Sequence, residues 1–118
     1  MTDQFIFKLL TQDQWASFQA EKSFRGAPVD LADGYIHFST RSQVAETAAK
    51  YFSDLSAVVV AEIDVAALPK ALTWEPARAG ALFPHLYADL PLASVGRTSV
   101  LSRDSQGAFV FPGWARPR

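Results

Sequence analysis

Two histidines, His37 and His85, are the residues of this chain best suited to acid–base chemistry near neutral pH. Each lies in an apolar and aromatic segment, GYIHFST around the first and FPHLY around the second. Aromatic rings supply stacking area, and imidazoles supply hydrogen-bond donors and acceptors. Two such segments in one small chain predict that both histidines face one concave site, which binds a small ligand.

Strand geometry assigns the neighbours of each histidine to a face, because side chains alternate across a β-strand. The residues two positions before and after each histidine share its face. The residues that adjoin His37, Ile36 and Phe38, are expected to face the core instead. Tyr35 and Ser39 are therefore expected on the face of His37, and Phe83 and Tyr87 on the face of His85.

Other interpretations of these residues stay open. A single histidine on a strand is more often a hydrogen-bonded structural residue than a catalytic one. A carboxylate such as Asp30 or Asp33 would complete a zinc site, but two histidines without HExxH-type spacing make a poor ligand set, so no metal is expected. Glu75 and Arg78 are interpreted as a loop ion pair of little energetic consequence.

The composition predicts one domain that spans residues 1–118 and buries its own core, since 49% of the 118 residues are hydrophobic. Eleven basic and twelve acidic residues give a net charge of −1, which argues against general nucleic-acid or membrane-surface binding. The absence of cysteine excludes disulfides, thiolate zinc sites and cysteine nucleophiles. With no signal-peptide pattern and no apolar run of roughly 18 residues, a cytoplasmic location is expected.

Hydrophobic periodicity and turn signals predict a β-rich α+β domain with two short helices. Thr11 and Gln14 form a capping-box pattern that opens the first helix, and Thr40 and Gln43 form the same pattern before the second, at about 41–52. The segment from Asp30 to Gly34 is expected to be a loop. The predicted strands are 5–10, 35–40, 58–63, 71–75, 84–88, 94–101 and 108–111.

Two runs of sequence, DLADGYIHFSTRSQVAETAAKYF and TWEPARAGALFPHLYADLPLASV, resemble a bacterial family known as domain of unknown function 952. The resemblance extends from about Phe7 to Val100 and rests on the signatures G-[YF]-I-H-x-S and F-P-H-L-Y. That family is similar to the ADP-ribosyltransferase-like fold, and in particular to tRNA 2′-phosphotransferases and their relatives, which use two histidines. The resemblance therefore implies a strongly bent or split antiparallel β-sheet.

The resemblance also implies a ligand and roles for the residues already singled out. A transferase is implied, with NAD or a 2′-phosphorylated molecule as the substrate. His37 would hold a ribose hydroxyl of NAD, with Ser39 as a pocket hydroxyl and His85 as the second histidine. Phe38 follows the first histidine where the wider pattern has glycine. The alternatives are a non-catalytic module that binds a nucleotide-like or other small ligand, and a structural or interaction protein. The ring-stacking walls implied by the resemblance are Tyr35, Phe83 and Tyr87.

Overall fold

All the strand pairs in the described part of the chain are antiparallel, and they form three small sheets. The computed structural model describes residues 3–116, apart from the side chain of Arg78. The strands are β1 (Phe5–Leu10), β2 (Ser23–Phe24), β3 (Ile36–His37), β4 (Val58–Asp64), β5 (Thr73–Pro76), β6 (Leu82–Leu86), β7 (Leu90–Pro91) and β8 (Val95–Leu101). The helices are α1 (Gln12–Glu21), α2 (Pro28–Asp33) and α3 (Val44–Tyr51).

The largest sheet has the order β1-β4-β8, and a second three-stranded sheet has the order β3-β6-β5. The chain passes from one to the other just after β3, where Ser39 pairs with Phe7 of β1. The backbone N–H of each residue donates to the carbonyl oxygen of the other, at 2.8 and 2.9 Å. The α+β class and the antiparallel sheets predicted from the sequence are therefore confirmed, and the sheet is split at this point.

The sheet β1-β4-β8 separates two apolar cores, because alternate side chains of its strands point to opposite faces. On β1, Ile6 and Leu10 enter one core, whereas Phe7 and Leu9 enter the other. Lys8 lies between Ile6 and Leu10 on the same face of β1, so its side chain also points into the interior. It is 6% exposed there.

The described residues contain three α-helices rather than two, because the segment predicted as a loop from Asp30 to Gly34 is mostly helix α2. Pro28 occupies the first turn, where a missing N–H costs nothing. The Asp30 carboxylate accepts a hydrogen bond of 2.7 Å from the backbone N–H of Ala27, which caps the helix. Gly34 ends the helix at φ +88°, a conformation that favours glycine, and turns the chain toward β3.

Two further boundaries differ from the prediction. Helix α3 begins at Val44, since Thr40 opens a hydrogen-bonded turn before it. The Gln43 side chain accepts from the Thr40 backbone N–H at 3.0 Å, but the Thr40 hydroxyl contacts Ser42 rather than a helix N–H. The segment 108–111 contributes an isolated bridge between Arg103 and Phe109 instead of a strand.

No helix among residues 3–116 has the length and apolar character that a membrane span requires.

The two threonines are expected to differ when each is replaced by alanine. Thr11 completes its capping box, because its hydroxyl accepts from the Gln14 N–H at 3.1 Å and the Gln14 side chain accepts from the Thr11 N–H at 2.9 Å. Thr11→Ala should therefore lower the free energy of unfolding by about 1 kcal/mol. Thr40→Ala serves as the control and should cost under about 0.5 kcal/mol. Urea denaturation measures both, and equal losses would contradict the assignment of the caps.

Candidate functional site

A cleft with a volume of about 660 Å³ opens where the split sheet meets α2 and α3. Ligand sites in proteins are commonly clefts of about 300–1,000 Å³. Its walls come from β1, α1, α2, β3, α3, β5 and β6, so residues far apart in the sequence meet there. Among the lining residues, those that bear polar groups or rings include Lys8, Asp30, Asp33, Tyr35, His37, Ser39, Thr47, Phe83 and His85.

The two histidines stand directly opposite each other, because the register of β3 and β6 pairs His37 with His85. Their ring centroids are 5.2 Å apart. Tyr35 lies against both, with its centroid 4.7 Å from that of His37 and 4.1 Å from that of His85, on which it stacks. Ile36 and Phe38 are buried in the core on the other face. The predicted placement of both imidazoles on one face is therefore confirmed, whereas their roles stay predictions.

Tyr87 completes a group of four rings, and we call Tyr35, His37, His85 and Tyr87 the ring cluster. The centroid of Tyr87 lies 5.1 Å from that of Tyr35 at an exposed position. The other two predicted binding residues lie in the cleft wall. Phe83 is buried there, and the hydroxyl of Ser39 lies 2.9 Å from that of Thr47 on α3.

Asp30 is the residue that organises the wall beside His37. Its carboxylate is buried and accepts hydrogen bonds from the backbone N–H of Ala27, from the backbone N–H of His37 and from the Lys8 ammonium, at distances of 2.7–3.3 Å. The ring Nδ1 of His37 lies 2.6 Å from the same carboxylate. A Cβ on Gly26 would lie 2.7 Å from that of Asp30, so the close approach requires glycine.

The electrostatics of this wall follow from a buried ion pair. Burial opposes ionisation of Asp30, but the hydrogen bonds from His37 and Ala27 and the charge of Lys8 outweigh it and lower the pKa of the carboxyl from 3.8 to about 2. Burial lowers the pKa of the Lys8 ammonium, and the charge and hydrogen bonds of Asp30 oppose that change. Lys8 also donates to the carbonyl oxygen of His37 at 2.7 Å, which ties β1 to β3.

Both ring nitrogens of His37 are engaged by carboxylates of α2. Nδ1 contacts the buried Asp30, and Nε2 lies 2.9 Å from Oδ2 of the exposed Asp33. Only a doubly protonated imidazolium donates to both carboxylates at once. The carboxylates considered as zinc ligands therefore hold the histidine itself, and residues 3–116 contain no group of three or more potential ligands arranged for a metal ion.

His85 forms a second imidazole–carboxylate pair, this time with Glu75 of β5. Its Nδ1 lies 2.7 Å from Oε1 of Glu75, which also accepts from the Tyr87 hydroxyl at 2.9 Å. The hydrogen bonds from His85 and Tyr87 lower the pKa of the Glu75 carboxyl, and the bond to Glu75 raises the pKa of the Tyr87 phenol. Glu75 reaches the ring cluster because β5 pairs with β6. The Arg78 side chain, the other half of the predicted loop ion pair, lies outside the described residues.

Sequence reasoning missed the contacts that three side chains make in this cleft. Lys8 was overlooked, although a lysine between apolar neighbours in the strand FIFKLL signals a buried cation that needs a partner. Asp30 was predicted to lie in a loop, although Pro28 at the first turn and an aspartate three residues after Ala27 are signals for the start of a short helix. Glu75 left no local signal, because its contact with His85 depends on the register of two strands.

Comparisons with known proteins were consistent with one another. The family model described as "Protein of unknown function (DUF952)" matches residues 9–98. The crystal structure of protein CC0527 from Caulobacter crescentus is 40% identical, covers 90% of this chain and 93% of its own, and superposes with a TM-score of 0.83. The solution NMR structure of CC0527 is 40% identical over 90% of this chain and 91% of its own, with a TM-score of 0.78. No curated protein matches the chain.

Proposed function

The chain belongs to the DUF952 family, and from the geometry of its cleft we propose that it binds NAD and transfers ADP-ribose, as proteins of the ADP-ribosyltransferase-like fold do. One observation carries the proposal: His37 and His85 face each other across β3 and β6 at the split of the sheet, inside a cleft of about 660 Å³. The absence of cysteine fits a reducing compartment, so the proposed location is the cytoplasm.

His85 is the proposed general base. In a neutral imidazole one nitrogen carries the proton, and Glu75 accepts it from Nδ1, so Nε2 keeps its lone pair. Nε2 has no hydrogen-bond partner among the described side chains, and His85 lines the cleft. This pair has the arrangement of a histidine base oriented by a carboxylate, as in catalytic triads.

The proposed reaction is substitution at the anomeric carbon of the nicotinamide ribose. The C1′–N glycosidic bond breaks, and its electron pair leaves with neutral nicotinamide. An acceptor oxygen attacks the oxocarbenium-like centre and passes its proton to Nε2 of His85. The carboxylate of Glu75, 2.7 Å from Nδ1 of His85, would stabilise the positive charge that the imidazole gains with this proton.

His37 is proposed to hold the ribose through Nε2. A ribose hydroxyl would replace Asp33 as the hydrogen-bond partner of this nitrogen. The contact with Asp33 is at the exposed edge of the cleft, so it can open without moving the buried Asp30. Ser39 and the rings of Phe83, Tyr35 and Tyr87 are the remaining proposed binding residues.

A non-catalytic binding module is the second candidate. It is favoured by the engagement of both His37 nitrogens with carboxylates of the same chain, which leaves this ring to position a ligand rather than to exchange protons. Such a module would use the same cleft, so the ligand class is the same and only turnover separates the two candidates.

We expect His37→Ala to weaken NAD binding by at least about tenfold while the fold persists. In this variant the Asp30 carboxylate still accepts hydrogen bonds from Lys8 and from the two backbone N–H groups. Its burial therefore leaves no unpaired charge. Calorimetric titration with NAD, ADP-ribose and 2′-phosphorylated RNA measures binding, and chromatography measures free nicotinamide.

The exposed Lys50 on α3 supplies the control, since Lys50→Ala should bind as the parent protein does. Binding with nicotinamide release supports the transferase, and binding alone supports the module. Wild-type NAD affinity in His37→Ala would contradict the proposed site, and the absence of any binding by the parent protein would leave the histidines as structural residues.

A further inference from the structure

Helix α3 forms one wall of the cleft but has few stabilising features of its own. Thr47 and Tyr51 of the helix, and Phe52, which ends it, line the cleft. The helix has eight residues, with no side-chain cap at its start and no left-handed residue at its end. Isolated helices shorter than about 12–15 residues are marginal in water. The position of this wall therefore depends on contacts with the rest of the domain.

The C-terminal segment, which we define as residues 102–116, supports α3 from its buried side. Phe111 and Ala115 lie in the same apolar core as Val44 and Ala48 of the helix. No residue of the segment is among those that line the cleft. The match to the family ends at residue 98, before the segment begins.

Arg103 joins the C-terminal segment to the end of α3. Its guanidinium donates to the carbonyl oxygens of Phe52, Ser53 and Leu55 at 2.5–3.1 Å. The last carbonyls of a helix have no partner within the helix, and the helix dipole favours a cation beside them. The guanidinium also lies over the ring of Phe109, 4.0 Å from its centroid. Only the planar fork of arginine supplies so many donors from one fixed position.

Arg41 joins the same segment to the turn that leads into α3. Its Nε donates to the carbonyl oxygen of Arg116 at 2.5 Å, and its Nη2 donates to that of Gly113 at 2.6 Å. The segment is itself anchored on β1, because the ring of Trp114 stacks on that of Phe7 with centroids 6.3 Å apart. Both ends of α3 are therefore tied by an arginine to one anchored segment.

We propose that Arg41 and Arg103 are positioning residues of the cleft, which act through α3 and set the distance between its wall and the wall that α2 forms. The inference goes beyond the proposed function, because it concerns the shape of the cleft and holds for any ligand that enters it. Neither arginine lines the cleft, so each acts through the helix. The two ties preorganise the cleft, which lowers the cost of ordering its wall when a ligand binds.

The absence of cysteine allows a direct test by spin labelling. Val29 on α2 and Tyr51 on α3 line the cleft and are exposed, so Val29→Cys with Tyr51→Cys places one label on each wall. Electron paramagnetic resonance then measures the distance between the labels. Its distribution should be narrow in the labelled parent, and about twofold broader after either Arg41→Gln or Arg103→Gln.

Two further variants separate the ties from charge alone. Arg25→Gln removes the same charge at an exposed position outside α3 and the C-terminal segment, and should leave the distribution unchanged. Arg103→Lys keeps the charge and part of the hydrogen bonding, so it should broaden the distribution less than Arg103→Gln. Thermal melting checks that each variant is folded.

Hydrogen exchange provides a second measurement, which distinguishes a loosened helix from a weakened fold. Amides of residues 44–52 should exchange about tenfold faster in Arg41→Gln and Arg103→Gln, while those of the central strand β4 keep the protection of the parent. Exchange that accelerates equally in α3 and β4 would overturn the inference, because the arginines would then stabilise the domain as a whole.

The outcomes are independent of the proposed function. A label distance as narrow as that of the parent in both Arg41→Gln and Arg103→Gln overturns the inference, as does an equal broadening in Arg25→Gln. Broadening confined to the two variants supports it, whether or not the parent protein binds NAD. Failure of the parent to bind NAD overturns the proposed function alone.

Discussion

Replacement of Asp30 by asparagine is expected to lower the free energy of unfolding by about 3–5 kcal/mol, because it leaves the buried ammonium of Lys8 without a counter-ion. Lys8 is 6% exposed and Asp30 is 1% exposed, so solvent cannot replace the lost charge. The amide also places an NH₂ group among donors, since Ala27 and His37 both donate to this carboxylate. The melting temperature should fall by at least about 10 °C.

The control is Asp33→Asn, which alters an exposed carboxylate on the same helix and should cost under about 1 kcal/mol. The double variant Lys8→Met with Asp30→Asn should be more stable than Asp30→Asn alone, because the unpaired cation is removed. If the stability losses of Lys8→Met and Asp30→Asn simply add in the double variant, the two side chains do not stabilise each other. The same conclusion would follow if Asp30→Asn cost no more stability than Asp33→Asn.

Asp30 also makes the free energy of unfolding depend on pH. The pKa of Asp30 is lowered to about 2 by the folded structure, so its contribution to stability is complete above about pH 4 and is lost as the pH falls toward 2. A shift of this size corresponds to about 2 kcal/mol. Denaturation of the parent protein over this range should show the loss, and Asp30→Asn should lack that component.

Replacement of His85 by asparagine is expected to reduce nicotinamide release from NAD by about 10²–10⁴-fold, the range for loss of a general base. Asparagine keeps an N–H that donates to Glu75 in the place of Nδ1, but it has no group in the place of Nε2. NAD affinity should therefore change much less than turnover. Release of nicotinamide under saturating NAD, followed over time, measures the effect.

Glu75→Gln tests how far turnover depends on the orientation of the His85 ring, whereas His85→Asn removes the base itself. Glutamine retains an acceptor for Nδ1 of His85, so turnover should fall less than in His85→Asn. Turnover by His85→Asn within tenfold of the parent rate would remove His85 from the chemistry.

Much of the local structure followed from sequence patterns. Strand β1 and helix α1 were predicted with their cap, since apolar alternation and the Thr11–Gln14 pair act within a few residues. The central position of β4 followed from a segment that is apolar on both faces. Helix α2 was missed because its six residues carry only a proline and a capping aspartate as signals.

The sequence by itself determined which side chains share a face. The alternation in GYIHFST places Tyr35 with His37 and buries Ile36 and Phe38, and the structure agrees because this parity is a property of any extended chain. The tertiary structure alone decided which faces meet. Strand β3 has two residues, too few for a local preference to set its register, so the pairing of His37 with His85 comes from the packing of the whole sheet. The Lys8–Asp30 pair joins residues 22 positions apart, so it depends on the tertiary packing of β1 against α2 and not on a local pattern.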